Sequence, residues 1–549
     1  MSLRSHRSRQ TYSSVQLATE QSSPVVGART FPWVRGGWPR YRDSFQSLLS
    51  ETHLVSLSIF VFAVCIAPTL ISSESYLFRW DDSEYLWRSI VASKAFWGRN
   101  RHELGLAMRS IRPPIMTLLG VPWGPLSSWD AAGKCFVTLS VITAALVALC
   151  VFLLLRVGIK PLYLMIASVC VFASLGPFPQ GADAHSDATG LLADSFFAWN
   201  AFAALLLIPY EVAVPVVSKK GALMRGLLWG AIFSLGAMTK TSFLYFIVLV
   251  IPVLVFLRWR NSGRRSALFS LGVLAICSLP VAIYWLRWGL PALRNAWAAS
   301  FGHDAPFYYI PFWHFVAETI RQSPGMLLPI LFLFGCIVYW ASKRPTLKWS
   351  MNLVPLCIII GYCAITLSSS NRDLRYSFLG IIALPFVVAM LMSDGTRALP
   401  WLTAAVAGLA VFGYLAGVGF STLHRADRRS IARGELVVTQ AASSNARTIL
   451  LATDSRTLNW DQLLVAAELS STRHVVEVQS LADSAPNGTS IDQDFEEIRK
   501  SDLVVFQDTA ALWPAFANQR VSEYEAYTKR VFGEPIKIGD VKIYGRPAR

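Results

Sequence analysis

Charged residues are scarce in this chain. Asp, Glu, Lys and Arg make up 15% of its 549 residues, against about 25% in an ordinary soluble protein. Hydrophobic residues make up 54%, and the mean hydropathy is +0.44. So little charge cannot coat a soluble surface, and the lipid bilayer is therefore the main solvent. Acidic residues are the scarcer sign, 34 against 50 Lys and Arg, for a net charge of +16. There are eight cysteines, Cys65, Cys135, Cys150, Cys170, Cys277, Cys336, Cys357 and Cys363. All fall inside apolar windows, which argues against an exposed disulfide framework or a thiolate metal site. No solenoid repeat runs along the chain, and residues 446–549 carry neither a glycine-rich phosphate loop nor a nucleophile elbow.

What is present is a series of about eleven windows of roughly 17–25 apolar residues, the length that crosses a bilayer core. They run Leu54–Ser72, Gly133–Leu155, Pro161–Pro177, Ala188–Pro209, Leu223–Met238, Ser242–Leu257, Ala267–Leu286, Gly325–Ala341, Asn352–Ser369, Ser377–Met392 and Leu399–Phe420. Cation-rich short loops stay in the cytoplasm. The tail 1–50 carries Arg4, Arg7, Arg9, Arg29, Arg35, Arg40 and Arg42 against Glu20 and Asp43. It reads as cytoplasmic and disordered, with its first apolar stretch too late for a signal peptide. Alternate loops agree: Arg156 and Lys160; Lys219, Lys220 and Arg225; Arg258, Arg260, Arg264 and Arg265; Lys343, Arg344 and Lys348; Arg397. An odd number of spans then puts the C-terminus outside. Because the cations flank apolar windows, anionic headgroups account for them and no nucleic-acid partner is expected.

Residues 446–549 differ in composition. Strands are expected at Thr448–Ala452, His474–Val478 and Leu503–Phe506, and helices at Trp460–Ser470 and Phe495–Lys500, an alternation that suggests a small α/β domain. It has no catalytic motif of its own. The expected fold is thus an all-α polytopic membrane domain over 51–421 with a C-terminal α/β extramembrane domain.

The external segment 73–130, between the first two spans, breaks the charge rule with Arg79, Arg88, Lys94, Arg99, Arg101, Arg109 and Arg112. At its start lies Arg79-Trp80-Asp81-Asp82-Ser83-Glu84-Tyr85. In a helix starting here, Asp81, Glu84 and Arg88 share one face, opposite Leu86, Ile90 and Trp97. A carboxylate so placed suits a general base; it equally suits a helix cap, because Asp satisfies free N–H groups and complements the macrodipole. Asp183, His185 and Asp187 have spacing compatible with a metal, though a solvated loop explains them as well. The aromatic-rich segment from Arg287 to Ser323 reads either as an interfacial belt or as a lid and sugar-stacking surface.

In order along the chain, five elements resemble the polyprenyl-phosphate-dependent glycosyltransferases of the GT-C fold, the family of protein O-mannosyltransferases and of the lipid A aminoarabinose transferase. They are Asp81-Asp82-Ser83-Glu84-Tyr85, Arg112-Pro113-Pro114, Leu192-Ala193-Asp194-Ser195-Phe196-Phe197, the glycine-rich run from Gly230 ending in Thr239-Lys240, and Arg375-Tyr376 before Pro385. The resemblance covers most of the membrane part. It implies an inverting transfer from a polyprenyl-phosphate sugar donor to a lipid, glycan or protein acceptor on the non-cytoplasmic face. It implies Asp81, Asp82 and Asp194 as the catalytic set, with Asp81 the candidate base. Arg112, Lys240, Arg375 and Tyr376 would bind the donor phosphate, since a guanidinium offers a fork to two phosphate oxygens. Glu84, Tyr85 and Arg88 would position substrate. The aminoarabinose enzyme has Arg where Glu84 stands and an acid where Ile111 stands, so its second phosphate arginine and its metal-linked acid do not carry over. No cofactor and no metal are assigned. The setting implied is a bacterial plasma membrane. A membrane transporter, or a non-catalytic lipid- or glycan-binding protein, is the alternative.

Overall fold

The computed structural model describes residues 52–61, 80–109, 113–127, 130–174, 193–216, 218–301, 428–453, 458–470, 477–481, 490–508 and 520–546, with isolated positions between 311 and 390. It is mostly helical. Among the described residues, four helical stretches are long and apolar enough to cross a membrane: Ala131–Val157, Phe196–Ala213, Phe243–Ser262 and Arg264–Arg294. The windows at Gly325–Ala341 and Leu399–Phe420 lie outside the described residues, as does the tail 1–50.

The chain order begins with α1 (Thr52–Val61), α2 (Trp80–Trp97), α3 (Arg101–Met108), α4 (Ala131–Val157) and α5 (Pro161–Ser174). It continues with α6 (Ala193–Ala213), α7 (Lys219–Ala237), α8 (Phe243–Ser262), α9 (Arg264–Tyr284) and α10 (Leu290–Phe301). Helix α6 is apolar around its circumference, and such a helix must be central. Phe196, Trp199, Phe202 and Leu207 are all fully buried, and α6 packs on α4, α7 and α8. Helices α8 and α9 instead turn apolar side chains outward, among them Val248 and Ile276. Helices α7 and α9 approach closely because Gly226 and Gly230 face α9: a Cβ at Gly230 would lie 2.5 Å from the Cβ of Cys277. Small residues four apart permit this backbone approach between helices in lipid.

Two cations that the sequence placed in loops lie inside helices. Arg225 and Arg258 are buried around Glu211, at the ends of α6, α7 and α8. Arg225 Nη1 is 3.3 Å from Glu211 Oε1, and Arg258 Nη1 is 3.4 Å from Oε2. Arg225 also donates to the Val214 carbonyl at 3.0 Å and stacks on Tyr210, while Arg258 lies over Trp229. A buried charge needs such a partner, and a count of loop cations cannot see it.

The C-terminal unit holds α11 (Arg428–Ser443), β1 (Thr448–Leu451), α12 (Trp460–Leu469), β2 (Glu477–Ser480), α13 (Ile491–Lys500), β3 (Leu503–Gln507), α14 (Val521–Phe532), β4 (Ile536–Ile538) and β5 (Val541–Gly545). The sheet order is β2-β1-β3-β5-β4, with β1 parallel to β2 and β3, and β5 antiparallel to β3 and β4. Alternation along the strands divides the core. Ile449, Leu451, Val505 and Ile543 pack under α11 and α12, whereas Leu450, Val504, Phe506 and Tyr544 pack under α13 and α14. Capping boxes, Asn459 with Gln462 and Ser490 with Gln493, start α12 and α13. Helix α11, ahead of residue 446, shares this core through Val437 and Ala441.

Helix α12 belongs to two cores. Leu463 lies under the sheet, but Val465 and Leu469 join the core of the membrane helices with Tyr85, Leu86 and Ile90 of α2. Lys94, in the last turn of α2, donates to the Glu468 carboxylate at 2.8 Å and to the Glu468 carbonyl at 2.7 Å.

Candidate active site

Asp81 and Asp82 occupy the first turn of α2; their side chains fall outside the described set. One turn further on, Arg88 Nε donates to Glu84 Oε1 at 2.8 Å, the pair being largely buried. The i,i+4 spacing allows this pairing, and it takes up Glu84, which the helix pattern had placed opposite the apolar face. Arg88 also lies over the Trp87 ring at 5.2 Å. Tyr85 is buried beside Leu86, Ile90, Met116 and Leu119. Trp97 differs from its sequence assignment to the apolar face: it is exposed, with its indole N–H on the Val121 carbonyl.

Arg112 lies outside the described residues, but the segment that follows it is fixed on two sides. The Gly120 N–H donates to Ser89 Oγ at 2.8 Å, and the Ser93 hydroxyl donates to the Gly124 carbonyl, tying residues 113–124 to α2. The Ile115 N–H donates to the Met238 carbonyl at 3.0 Å, which ties the same segment to the end of α7, two residues before Lys240.

Lys240 Nζ in turn lies over the Phe197 ring at 5.8 Å, and Lys240 is half-buried. Phe197 stands three residues after Asp194, and residues so spaced lie on one face of a helix. The Asp194 side chain is outside the described set, though its backbone is in the first turn of α6. Phe197 is held edge-on between Phe243 and Phe246. Three of the five elements read from the sequence are therefore brought together, the segment after Arg112, the start of α6 and the end of α7, and the segment after Arg112 is also bonded to the second half of α2 at Ser89 and Ser93. Arg375 and Tyr376 lie outside the described residues, as do Asp183, His185 and Asp187.

Carboxylates in helix first turns can accept a proton, and a lysine can neutralise an anion. The sequence pattern did not single out Tyr284, at the end of α9. It is 3% exposed and within electrostatic reach of Arg88. It immediately precedes a five-residue π-helical turn, Trp285–Gly289, that runs on into α10 where the sequence suggested a loop from Arg287. Among the described residues, Cys135, Cys150, Cys277 and Cys357 are free thiols. Comparison with family models, curated proteins and solved structures returned no match.

Proposed function

We propose that the chain is an inverting glycosyltransferase of GT-C type that moves a sugar from a polyprenyl-phosphate donor to a lipid, glycan or protein acceptor on the non-cytoplasmic side. The observation that carries this reading is the meeting of three sequence-distant elements. Lys240 over Phe197 brings the cationic end of α7 to the turn bearing Asp194, and the Ile115–Met238 bond brings in the segment next to Arg112. Glu84 is engaged by Arg88, which leaves proton acceptance to the aspartates. Asp81 takes the acceptor hydroxyl proton as that oxygen attacks the anomeric carbon. The bond to the phosphate oxygen breaks in the same step, and its electron pair leaves with the polyprenyl phosphate. Asp82 and Asp194 orient the acceptor and the base. Arg112, Lys240, Arg375 and Tyr376 hold the departing anion, and Tyr85 and Arg88 shape the wall beside it.

The topology of the reading is about eleven spans, with the N-terminus cytoplasmic and the C-terminal domain outside, in a bacterial plasma membrane. Packing of α12 on α2 supports it, because both must then lie on the same side. The test is release of polyprenyl phosphate from its sugar ester by the full chain in its native membranes, which supply the acceptor, compared with Arg112→Lys and Arg112→Ala. Lysine keeps charge and loses the fork, so activity should fall in the order Arg, Lys, Ala. No release by the wild type sinks the reading, and equal activity in all three removes Arg112 from it.

A further inference from the structure

The π-helical turn between α9 and α10 assembles a group of side chains that the transfer mechanism does not use. Such turns are rare and concentrate at functional sites. The Tyr284 hydroxyl is buried and has no hydrogen-bond partner among the described residues, and neither has the indole N–H of the neighbouring Trp285. Buried polar atoms are nearly always paired, so two unpaired ones in consecutive residues mark a place where a ligand's polar atoms fit. The rings are set at angles to each other: Tyr284 and Trp285 lie edge to face at 5.7 Å, and Tyr284 and Trp288 are tilted at 6.3 Å. Gly289 makes room for the indole, since a Cβ there would sit 2.4 Å from the Trp285 ring.

Resting on the glycosyltransferase reading, we propose that Tyr284 and Trp285 form a subsite for the sugar ring of the donor, the hydroxyl and indole N–H bonding its oxygens and the aromatic faces taking its C–H groups. An acyl or prenyl chain would leave both polar atoms unpaired. A phosphate would call for a cation: the Arg88 guanidinium is already engaged by Glu84, and Arg287 is exposed and lies over the Trp288 ring at 4.9 Å. A saccharide matches both requirements, because it is rich in hydroxyl groups and has apolar C–H faces that suit aromatic rings.

The test uses the full-length chain in nanodiscs and measures equilibrium binding of undecaprenyl phosphate and of its glucosyl, mannosyl and aminoarabinosyl esters. Wild type should bind one ester more tightly than the bare phosphate. Tyr284→Phe and Trp285→Phe should each lose about ten-fold of that preference while binding the bare phosphate as wild type does. Retention of the preference in both variants overturns the subsite and leaves the phosphate reading standing. Equal wild-type binding of the esters and the bare phosphate overturns it in the same way. Binding of neither lipid type overturns the glycosyltransferase reading together with the subsite. Tyr284→Phe removes only a hydroxyl without a partner, so a variant that fails to fold also contradicts the proposal.

Discussion

Replacing Glu211 by Gln removes the single carboxylate between two buried guanidinium groups. The Arg225 and Arg258 side chains are 7% and 0% exposed, against 2% for Glu211. Gln keeps the size and one acceptor oxygen but leaves two positive charges facing each other without compensation. Breaking a buried pair in this way costs about 3–5 kcal/mol, a large part of a total stability of roughly 5–15 kcal/mol. The same geometry makes the opposite forecast for Arg258→Met. Nε, Nη1 and Nη2 of Arg258 have no hydrogen-bond partner among the described residues, and its contact with Glu211 is a loose 3.4 Å ion pair. Arg225, in contrast, also bonds Glu211 and the Val214 carbonyl. Met fills a similar volume and leaves one carboxylate with one guanidinium, so the change should lie within about 1 kcal/mol of wild type. The assay is reversible unfolding in mixed micelles titrated with a denaturing detergent. Equal destabilisation by Glu211→Gln and Arg258→Met would refute the charge-imbalance argument.

Lys94→Glu and Glu468→Lys should each speed amide exchange in α2 by about three- to five-fold, and the double exchange should restore it. The effect is modest because both side chains are about a third exposed and such pairs are worth at most about 1 kcal/mol. Acid should loosen the C-terminal sheet. Burial pushes the Asp502 carboxyl up, but N–H bonds from Arg447 and Thr448, the Thr448 hydroxyl and the Arg546 charge hold it below its ordinary value. Asp540 is likewise held low, its burial outweighed by bonds from Arg433 and Gln507. A carboxyl depressed in the folded state contributes stability above its unfolded pKa of roughly 3.9 and loses it as pH falls through the folded value. Protection of β1 and β3 amides, corrected for intrinsic exchange, should therefore fall below about pH 4, and less steeply in Asp502→Asn.

The parts legible in the sequence were those with local causes. Strand β1 and helix α12 follow from apolar patterns local to their own residues, and both formed within a residue or two of the expected ends. Strands β4 and β5 were not foreseen. They are short and carry Lys537 and Lys542, and they exist because β5 pairs with β3 across the sheet, a non-local cause. Within the candidate site, the start of α2 was legible from Trp80-Asp81-Asp82. The burial of Glu84 was not, because it depends on the ion pair with Arg88 and on packing of the segment after Arg112. The Glu211 cluster was hidden for a similar reason: positive charge near span ends reads as loop until a carboxylate on a neighbouring helix is found beside it. Tyr284 looked like one aromatic among many at the end of a span, and the only local signal was its place before Trp285 and Trp288.

The central claim is that a carboxylate at the start of α2 takes the acceptor proton, and Asp81→Asn tests it most directly. Asn caps a helix about as well as Asp, so a capping role would survive the change with normal expression and membrane insertion. Transfer from a polyprenyl-phosphate sugar, measured in purified membranes beside Asp82→Asn and Asp194→Asn, should fall by about 10²–10⁴-fold in Asp81→Asn. Normal turnover in Asp81→Asn with loss in one of the other two would reassign the base within the acidic set. Wild-type transfer in all three would contradict the mechanism.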